Sequence, residues 1–319
     1  MSPDDILSIG IDLGGTNTSI GLVNRNGTVI EQISFNTATP DPNQWVDRCI
    51  DYINSMLSKH KAENKIAGIG IGAPCANILT GSIEAATDLP WPSPIPLVEM
   101  VTSKTRYPVK ITNDANAATI GEMIYGEAKH LKNFIVLTLG TGVGAGVVVD
   151  GHLLSGKNGF AGELGHVTFP FAVGRICGCG REGCLQTIAS AKGIIATTQK
   201  FLKERTSDSL LRNIPEWSLT SKKVAEAALK GDLIAKEVFE FTGNCLGKAI
   251  AEFAAFTDPE KIILFGGVSK AGDLILGPLR KSFSENVLHL YKNTDIVLSS
   301  IPESQAAVLG AAALPFINS

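Results

Sequence analysis

Three cysteines and a histidine near the middle of the chain are the residues best suited to chemistry. His166 ends the segment Gly-Glu-Leu-Gly-His, and Cys177, Cys179 and Cys184 follow in a short glycine-rich segment. Thiolate sulfur and imidazole nitrogen are the preferred ligands of a tetrahedral zinc ion. Clustered cysteines in an intracellular protein usually bind metal or take part in catalysis. The pattern predicts a structural zinc site that fixes the neighbouring Glu163-x-x-His166 pair, with free or disulfide-linked thiols as the alternative.

Two glycine-rich bends could bind phosphate. One is at residues 12–17, Asp-Leu-Gly-Gly-Thr-Asn, and the other is at residues 139–142, Leu-Gly-Thr-Gly. Each lies between apolar segments, which predicts a strand–turn–strand hairpin. Glycine and threonine at such a bend leave backbone N–H groups open to anionic oxygen, although an ordinary tight turn has the same composition. Neither bend is a P-loop, because no Gly-Lys-Ser/Thr follows. Asp12 could orient Mg²⁺ through water.

Asn113 and Asp114 stand where a predicted strand, residues 109–112, meets a predicted helix, residues 115–126. In open α/β sheets the carboxyl ends of the strands line the ligand crevice. An aspartate at that place can accept the proton of a hydroxyl nucleophile. The alternative is a helix N-cap, since Asp and Asn both favour that position.

Gly266 and Gly267 follow the apolar segment at residues 262–265. Two successive glycines let a flat ring approach the backbone closely. A simple strand-to-helix turn is an equally good interpretation of this local sequence.

The elements that must position these residues occur in two similar sets. Strand, glycine turn, strand and hairpin signal follow one another over residues 7–27, and the same order returns over residues 134–151. Residues 12–16 align with residues 138–142, which indicates a duplicated α/β domain. Helices are predicted at residues 42–60, 189–205, 220–229, 233–256 and 305–314. We expect an N-terminal domain of residues 1–112 plus 305–319 and a C-terminal domain of residues 113–304, packed closely around a cleft.

Composition excludes several classes of protein. The net charge of −3 and the pI of about 6.0 give no electrostatic footprint for nucleic acid or an anionic membrane. The N-terminus does not resemble a signal peptide, and the most apolar run, residues 134–149, is too short and glycine-rich to span a bilayer. The six cysteines suit a reducing compartment. We therefore expect a cytoplasmic protein.

Together these motifs give the chain a resemblance to the ROK family of sugar kinases, within the hexokinase/actin-like ATPase superfamily. The matching motifs run in family order over essentially the whole chain, at residues 12–16, 113–117, 139–144, 162–166, 177–184 and 265–267. The cysteine knuckle with its upstream Glu-x-x-His is highly specific, whereas the glycine turns are shared across the superfamily. The resemblance implies a fold of duplicated ribonuclease H-like α/β domains flanking a cleft.

The same resemblance implies a role for each motif. Asp114 would be the catalytic base, and Asn113, Glu163 and His166 would hydrogen-bond the sugar. Zinc would be held by four side chains: His166, Cys177, Cys179 and Cys184. ATP phosphates and Mg²⁺ would be bound by residues of both bends: Asp12, Gly14, Gly15, Thr16, Asn17, Gly140, Thr141 and Gly142. Gly266 and Gly267 would flank adenosine.

Three positions depart from the family pattern. Gln186 replaces a glutamate that touches the sugar, and it can still hydrogen-bond but offers a neutral amide. Cys75 replaces the glycine of an Ala-Pro-Gly turn, and Asp88 stands where an Asn-Leu pair is common. These changes affect the choice of sugar and leave Asp114 and the phosphate bends intact, so an active kinase is expected.

The resemblance implies an ATP-dependent hexose kinase of carbohydrate metabolism, with glucose converted to glucose 6-phosphate as the first choice. N-Acetylmannosamine, N-acetylglucosamine, allose and fructose are alternative substrates. A non-catalytic, sugar-sensing ROK regulator is a further alternative, but no helix-turn-helix segment fits ahead of Asp12. An actin-like filament or chaperone protein is disfavoured by the zinc knuckle. The expected assembly is a homodimer, without nucleic acid or membrane partners.

Overall fold

The chain forms both strands and helices in a computed structural model that describes residues 6–85 and 89–317. The strands are β1 (Leu7–Leu13), β2 (Asn17–Asn24), β3 (Val29–Asn36), β4 (Ile66–Gly72), β5 (Ala76–Asn77), β6 (Ser82–Ile83), β7 (Val109–Thr112), β8 (Phe134–Leu139), β9 (Val143–Val149), β10 (His152–Leu153), β11 (Lys261–Phe265) and β12 (Asp295–Leu298). The helices are α1 (Pro42–His60), α2 (Leu97–Thr102), α3 (Asp114–Tyr125), α4 (Gln186–Ala189), α5 (Ala191–Glu204), α6 (Ser221–Leu229), α7 (Leu233–Thr257), α8 (Asp273–Asn286) and α9 (Glu303–Ala313).

Most predicted elements agree with these bounds to within about two residues, and the differences have local causes. The helix predicted over residues 189–205 is α5 and begins at Ala191, because Ser190 is extended and caps α5 by accepting a hydrogen bond from the Gly193 N–H. Strands β3 and β12 and helix α8 were not predicted. Pro278 lies inside α8, and an internal proline usually ends a helix.

The described residues divide into two units. The first runs to Leu131 and includes Leu153–Ala161 and the chain from Ser300, while the second contains Lys132–His152 and Gly162–Ser299. These points differ from the expected boundaries at residues 112 and 304. Helix α3 belongs to the first unit because it packs on α9 so closely that a Cβ atom at Gly310 would overlap the Ala117 carbonyl.

The first unit is built on a five-stranded sheet of order β3-β2-β1-β4-β7. Strand β1 pairs antiparallel with β2 and parallel with β4, and β4 pairs parallel with β7. Helix α9 lies directly on this sheet, since Cβ atoms at Gly10 and Gly70 would overlap its backbone carbonyls at Val308 and Ala311. Small residues at the contact therefore fix the sheet against α9.

The second unit repeats this arrangement in a sheet of order β10-β9-β8-β11-β12. Strand β8 pairs antiparallel with β9 and parallel with β11, which pairs parallel with β12. The matching order confirms the predicted duplication and the α/β fold class. Among the described residues no helix has both the length and the apolar composition to cross a lipid bilayer.

Candidate active site and metal-binding cluster

The two acidic residues singled out in the sequence lie at one edge of the first sheet. Asp12 pairs with Gly72 of β4, and Gly72 pairs with Thr112, the last residue of β7. Asp114 follows two residues later, so both carboxylates lie at the carboxyl ends of parallel strands. Burial, and then the nearby Asp114 charge, raise the pKa of Asp12 to about 6. A carboxyl group with this pKa is short of a cationic partner.

Asn113, rather than Asp114, caps helix α3. Its side-chain oxygen accepts a hydrogen bond of 2.7 Å from the Asn116 N–H. Asp114 is then the first helical residue, and its carboxylate accepts a 2.9 Å bond from the Ala115 N–H. The side chain reaches solvent, yet the surrounding protein desolvates the carboxyl group enough to raise its pKa. The cap leaves Asp114 available as a base.

The first glycine bend is held from inside the first unit. The Gly14 N–H donates to the Asn17 carbonyl at 3.0 Å and closes the turn. Thr37, which follows β3, donates from its hydroxyl to the Gly14 carbonyl at 2.8 Å and from its N–H to the Thr16 carbonyl at 2.8 Å. Gly15 lies between these two carbonyls. Thr16 and Asn17 are exposed at the tip.

The second glycine bend is held by different groups. The N–H of Ala191, the first residue of α5, donates to the Gly140 carbonyl at 2.9 Å. The Gln186 side-chain oxygen accepts a 3.2 Å bond from the Val143 N–H. A cavity of about 440 Å³ adjoins this bend within the second unit. Its polar lining includes Thr141, Gly142, Gln186, Ser190 and Lys192.

Gly266 needs to be glycine for two reasons. Its φ of +102° lies in the left-handed region, and a Cβ atom would approach the Leu139 carbonyl to 2.7 Å. The Val268 N–H donates to that same carbonyl at 3.0 Å. The turn that contains Gly266 and the exposed Gly267 therefore lies directly beside the second glycine bend.

The three cysteines and the histidine converge on one point in the second unit. The ligand atoms of His166, Cys177, Cys179 and Cys184 all lie within 4.8 Å of one another. The Cys179 and Cys184 sulfurs are 3.7 Å apart, and the Cys177 sulfur is 3.7 Å from His166 Nδ1. A tetrahedral ion with Zn–S bonds of about 2.3 Å sets its sulfur ligands about 3.8 Å apart. The cluster can therefore hold a metal ion of this size.

The surroundings of Cys177 favour its thiolate form, which can bind a cation. Burial raises the pKa of its thiol, but hydrogen bonds from Cys179 and Gln186 outweigh that effect and lower the pKa to about 6. The Gln186 amide nitrogen donates to the Cys177 sulfur at 2.9 Å. Because its oxygen must face the Val143 N–H, the orientation of this amide is determined. Gln186 thus connects the cysteine cluster to the second glycine bend.

The imidazole of His166 faces two ways. Nδ1 is turned to the cysteine cluster, and Nε2 lies 3.9 Å from a carboxylate oxygen of Glu163. Both residues belong to one short turn, which packs on β9 so closely that a Cβ atom at Gly165 would overlap the Val143 carbonyl. A metal ion in the cluster would therefore fix the ring whose other nitrogen points toward Glu163.

One of the remaining departures from the family pattern, Cys75, lies in the first unit. Cys75 is exposed and has a φ of +53°, a conformation that glycine adopts without cost. Asp88 lies outside the described residues.

The residues that support the first glycine bend were not among the predicted site residues. Trp45 of α1 donates from its indole N–H to the Thr18 hydroxyl at 2.9 Å, and the Thr18 and Thr37 hydroxyls are 2.9 Å apart. One feature of the sequence, the position of Thr18 in β2, could have indicated these contacts. Thr18 alternates with Ile20 and Leu22 on the buried side of β2, and a hydroxyl at such a position needs a buried partner.

The site residues thus fall into two groups. Asp12, the first glycine bend, Asn113 and Asp114 lie in the first unit. The second glycine bend, the Glu163–His166 turn, the cysteine cluster, Gln186 and the Gly266–Gly267 turn lie together in the second unit.

Comparison with known proteins shows the family to which this chain belongs. The model of the ROK family matches residues 8–316. The chain belongs to the ROK family. A glucokinase of Halalkalibacterium halodurans is 38% identical over 284 residues, with 88% of this chain and 86% of that protein covered. A xylose repressor of Caldicellulosiruptor bescii is 32% identical over 312 residues, with 96% of this chain and 77% of that protein covered.

The fold of this ROK protein is similar to that of a solved structure. The ROK family glucokinase from Streptomyces griseus, in complex with glucose and AMPPNP, superimposes with a TM-score of 0.76 and 28% sequence identity. The match covers 97% of this chain and 98% of that one. The duplicated actin-like ATPase fold is thereby confirmed.

Proposed function

We propose that this ROK protein is an ATP-dependent glucose kinase that transfers the γ-phosphoryl group to the 6-hydroxyl and forms glucose 6-phosphate, the entry compound of glycolysis. The observation that carries the proposal is Asp114. Its neighbour Asn113 provides the helix cap, and the Asp114 carboxyl has a raised pKa at the carboxyl edge of a parallel sheet. The similarity to glucokinases supports glucose as the acceptor.

In this reaction Asp114 accepts the proton of the attacking sugar hydroxyl. A carboxylate with a raised pKa is a stronger base than one with an ordinary pKa, which favours proton transfer. The position of Asp114 at the N-terminus of α3 favours the ionised carboxylate, because the helix dipole stabilises negative charge there. Phosphoryl transfer otherwise depends mainly on positioning and charge neutralisation.

The glycine bends supply the positioning. Backbone N–H groups at Gly14, Gly15, Thr16 and Asn17, and at Gly140, Thr141 and Gly142, would hold the phosphates of ATP. Gly266 and Gly267 would leave room for adenosine. Bound Mg²⁺ would neutralise phosphate charge, and the Asp12 carboxylate, whose pKa is raised to about 6, has the charge to hold it through water.

The sugar would be bound by Asn113, Glu163, His166 and Gln186. We propose zinc as the ion of the Cys₃His cluster, since the sulfur spacing fits a tetrahedral site. A bound zinc ion would supply a structural anchor and no activated water, because four protein ligands leave no open position. His166 would then present Nε2 to the sugar in a fixed orientation.

The choice among hexoses depends on few hydrogen bonds, so N-acetylmannosamine, N-acetylglucosamine, allose and fructose remain alternative acceptors. Gln186, Cys75 and Asp88 are the positions that would alter the pocket. Similarity to a xylose repressor supports a sugar-sensing regulator as the second candidate. We also propose that the protein is a cytoplasmic homodimer, which light scattering would test. The net charge of −3 favours the absence of a nucleic-acid or membrane partner.

The deciding experiment is ADP release from ATP over a panel of glucose, N-acetylmannosamine, N-acetylglucosamine, mannose, fructose and allose. Asp114→Asn serves as the blank. Glucose should give the highest kcat/KM, and the mutant should be silent. If another sugar gave the highest kcat/KM, that sugar would take the place of glucose as the proposed acceptor. Sugar binding without turnover on any member of the panel would favour the sensor.

A further inference from the structure

A buried chain of hydrogen bonds joins helix α1 to the first glycine bend. The Trp45 indole N–H contacts the Thr18 hydroxyl at 2.9 Å, this hydroxyl contacts that of Thr37 at 2.9 Å, and the Thr37 hydroxyl contacts the Gly14 carbonyl at 2.8 Å. Trp45, Thr18 and Thr37 have no exposed surface. No water can therefore substitute for a missing partner.

The direction of every bond in this chain is determined. An indole nitrogen only donates and a carbonyl oxygen only accepts. The single hydroxyl hydrogen of Thr37 goes to the Gly14 carbonyl, so the Thr18 hydrogen must go to Thr37, and Thr18 accepts from Trp45. The donors all point toward the glycine bend. Such aligned bonds polarise one another, which strengthens the last bond of the chain.

Thr37 holds the bend at a second point through its backbone N–H, which donates to the Thr16 carbonyl at 2.8 Å. A trans peptide is planar, with its C=O and N–H on opposite sides. When Thr37 binds the carbonyls of Gly14 and Thr16, the N–H groups of Gly15 and Asn17 must point away from Thr37. The two contacts of one residue thus set the direction of two donors.

We propose that Thr37 is a positioning residue for the nucleotide phosphates. It aims the N–H groups of Gly15 and Asn17, and Thr18 and Trp45 hold its hydroxyl in the required orientation. This inference rests on the proposed function, because it assigns the first bend to phosphate binding. Stability alone does not require the arrangement, since replacing both partners of a buried hydrogen bond by apolar groups of the same shape can be nearly neutral.

The test compares Thr37→Val, which keeps the shape and the backbone N–H but removes the hydroxyl, with Thr37→Ser, which keeps the hydroxyl. AMPPNP affinity is measured by calorimetry in the presence of Mg²⁺, and the KM for ATP and for the sugar by steady-state kinetics. Thr37→Val should weaken AMPPNP binding and raise the KM for ATP about tenfold, the usual effect of losing one well-placed hydrogen bond to a charged group. The KM for the sugar should stay within about twofold, and Thr37→Ser should restore nucleotide affinity.

Thr198→Val is the matched control. Thr198 is a buried threonine of α5 whose hydroxyl donates to the Ile194 carbonyl at 2.8 Å. The control should lower thermal stability about as much as Thr37→Val and leave nucleotide affinity unchanged. If Thr37→Val does not fold, Thr18→Val takes its place. That variant keeps the Thr37–Gly14 bond but releases its orientation, so AMPPNP affinity should fall about threefold.

Equal AMPPNP affinity in wild type, Thr37→Val and Thr18→Val would overturn the inference and leave the proposed function standing. Equal losses for nucleotide and sugar, without rescue by Thr37→Ser, would also overturn it, because they would show a general structural effect. Absence of AMPPNP binding by wild type would instead refute the proposed function, and the inference with it.

Discussion

The two glycine bends occupy equivalent places in the duplicated sheets, but different chemistry supports them. In the first unit Thr37 binds two turn carbonyls, and a buried indole and a second hydroxyl stand behind it. In the second unit a helix N–H binds Gly140, and the Gln186 amide joins the bend to the cysteine cluster. The two units therefore share the place of the bend in the sheet but not the contacts that hold it.

The bends also differ in length. Leu13 pairs with Thr18 across the first bend, whereas Leu139 pairs with Val143 across the second. The first bend is thus one residue longer. The residue before each bend differs as well: the first unit has Asp12 and the second has Thr138, which is neutral. The first bend thus follows an acidic residue and is supported by buried hydroxyl groups, whereas the second bend is joined through Gln186 to the cysteine cluster.

The largest expected effect comes from the carboxylate chemistry of the first unit. Asp114→Asn should lower kcat by roughly 10³-fold, within the range for loss of a general base, while sugar binding persists. Asp273→Asn is the control, since Asp273 is also the first residue of a helix but has no assigned chemistry. Steady-state kinetics and calorimetry measure the two quantities. Turnover near the wild-type rate in Asp114→Asn would show that Asp114 is not the general base.

The sulfur chemistry of the second unit should appear first as stability. Cys179→Ser removes one of the four proposed metal ligands, and we expect the free energy of unfolding to fall by about 4 kcal/mol, the size typical of losing a structural metal site. Metal content by elemental analysis and thermal unfolding provide the measurements. Cys75→Ser, at another exposed cysteine, should change neither. Full stability and activity in metal-free Cys179→Ser protein would contradict a structural role for the cluster.

Asp12 should make stability depend on pH in a way that Thr138 does not. Its folded pKa of about 6 lies above the ordinary value of 3.8. Between these values the folded state binds more protons than the unfolded state, so stability falls as pH rises through this window. At pH 8 the free energy of unfolding of Asp12→Asn should exceed that of wild type by up to about 3 kcal/mol, and the difference should vanish below about pH 3. Urea unfolding without Mg²⁺ or nucleotide measures it, and a difference independent of pH would refute it.

The smallest expected effect separates the two hydrogen bonds of Gln186. Gln186→Leu removes both, and metal release to a chelator should quicken about tenfold. Gln186→Glu keeps an acceptor for the Val143 N–H but turns a carboxylate toward the Cys177 sulfur. Metal release should therefore be as fast as in Gln186→Leu, while AMPPNP affinity stays closer to wild type. Thr37→Val should alter nucleotide affinity and leave metal release unchanged, which keeps the two supports distinct.

Much of the site followed from the sequence because its signals are local. The strands before Asp12 and Asp114 were recognisable from apolar runs, and the bends from glycine. The spacing of the three cysteines predicted the cluster that the structure brings together. The domain boundaries were less accessible. Helix α3 joins the first unit through its packing on α9, and no property of α3 alone reveals a partner near the end of the chain.

The sequence by itself determined the duplicated α/β fold, the positions of the carboxylates at strand ends and the set of candidate metal ligands. Hydrophobic periodicity, turn residues and ligand spacing act over a few residues, so they are readable along the chain. Only the tertiary structure decided that Thr37 reaches Gly14 across 23 positions and that Gln186 reaches Val143 across 43. A hydrogen bond between distant residues depends on how strands and helices pack, and that packing is a property of the folded chain.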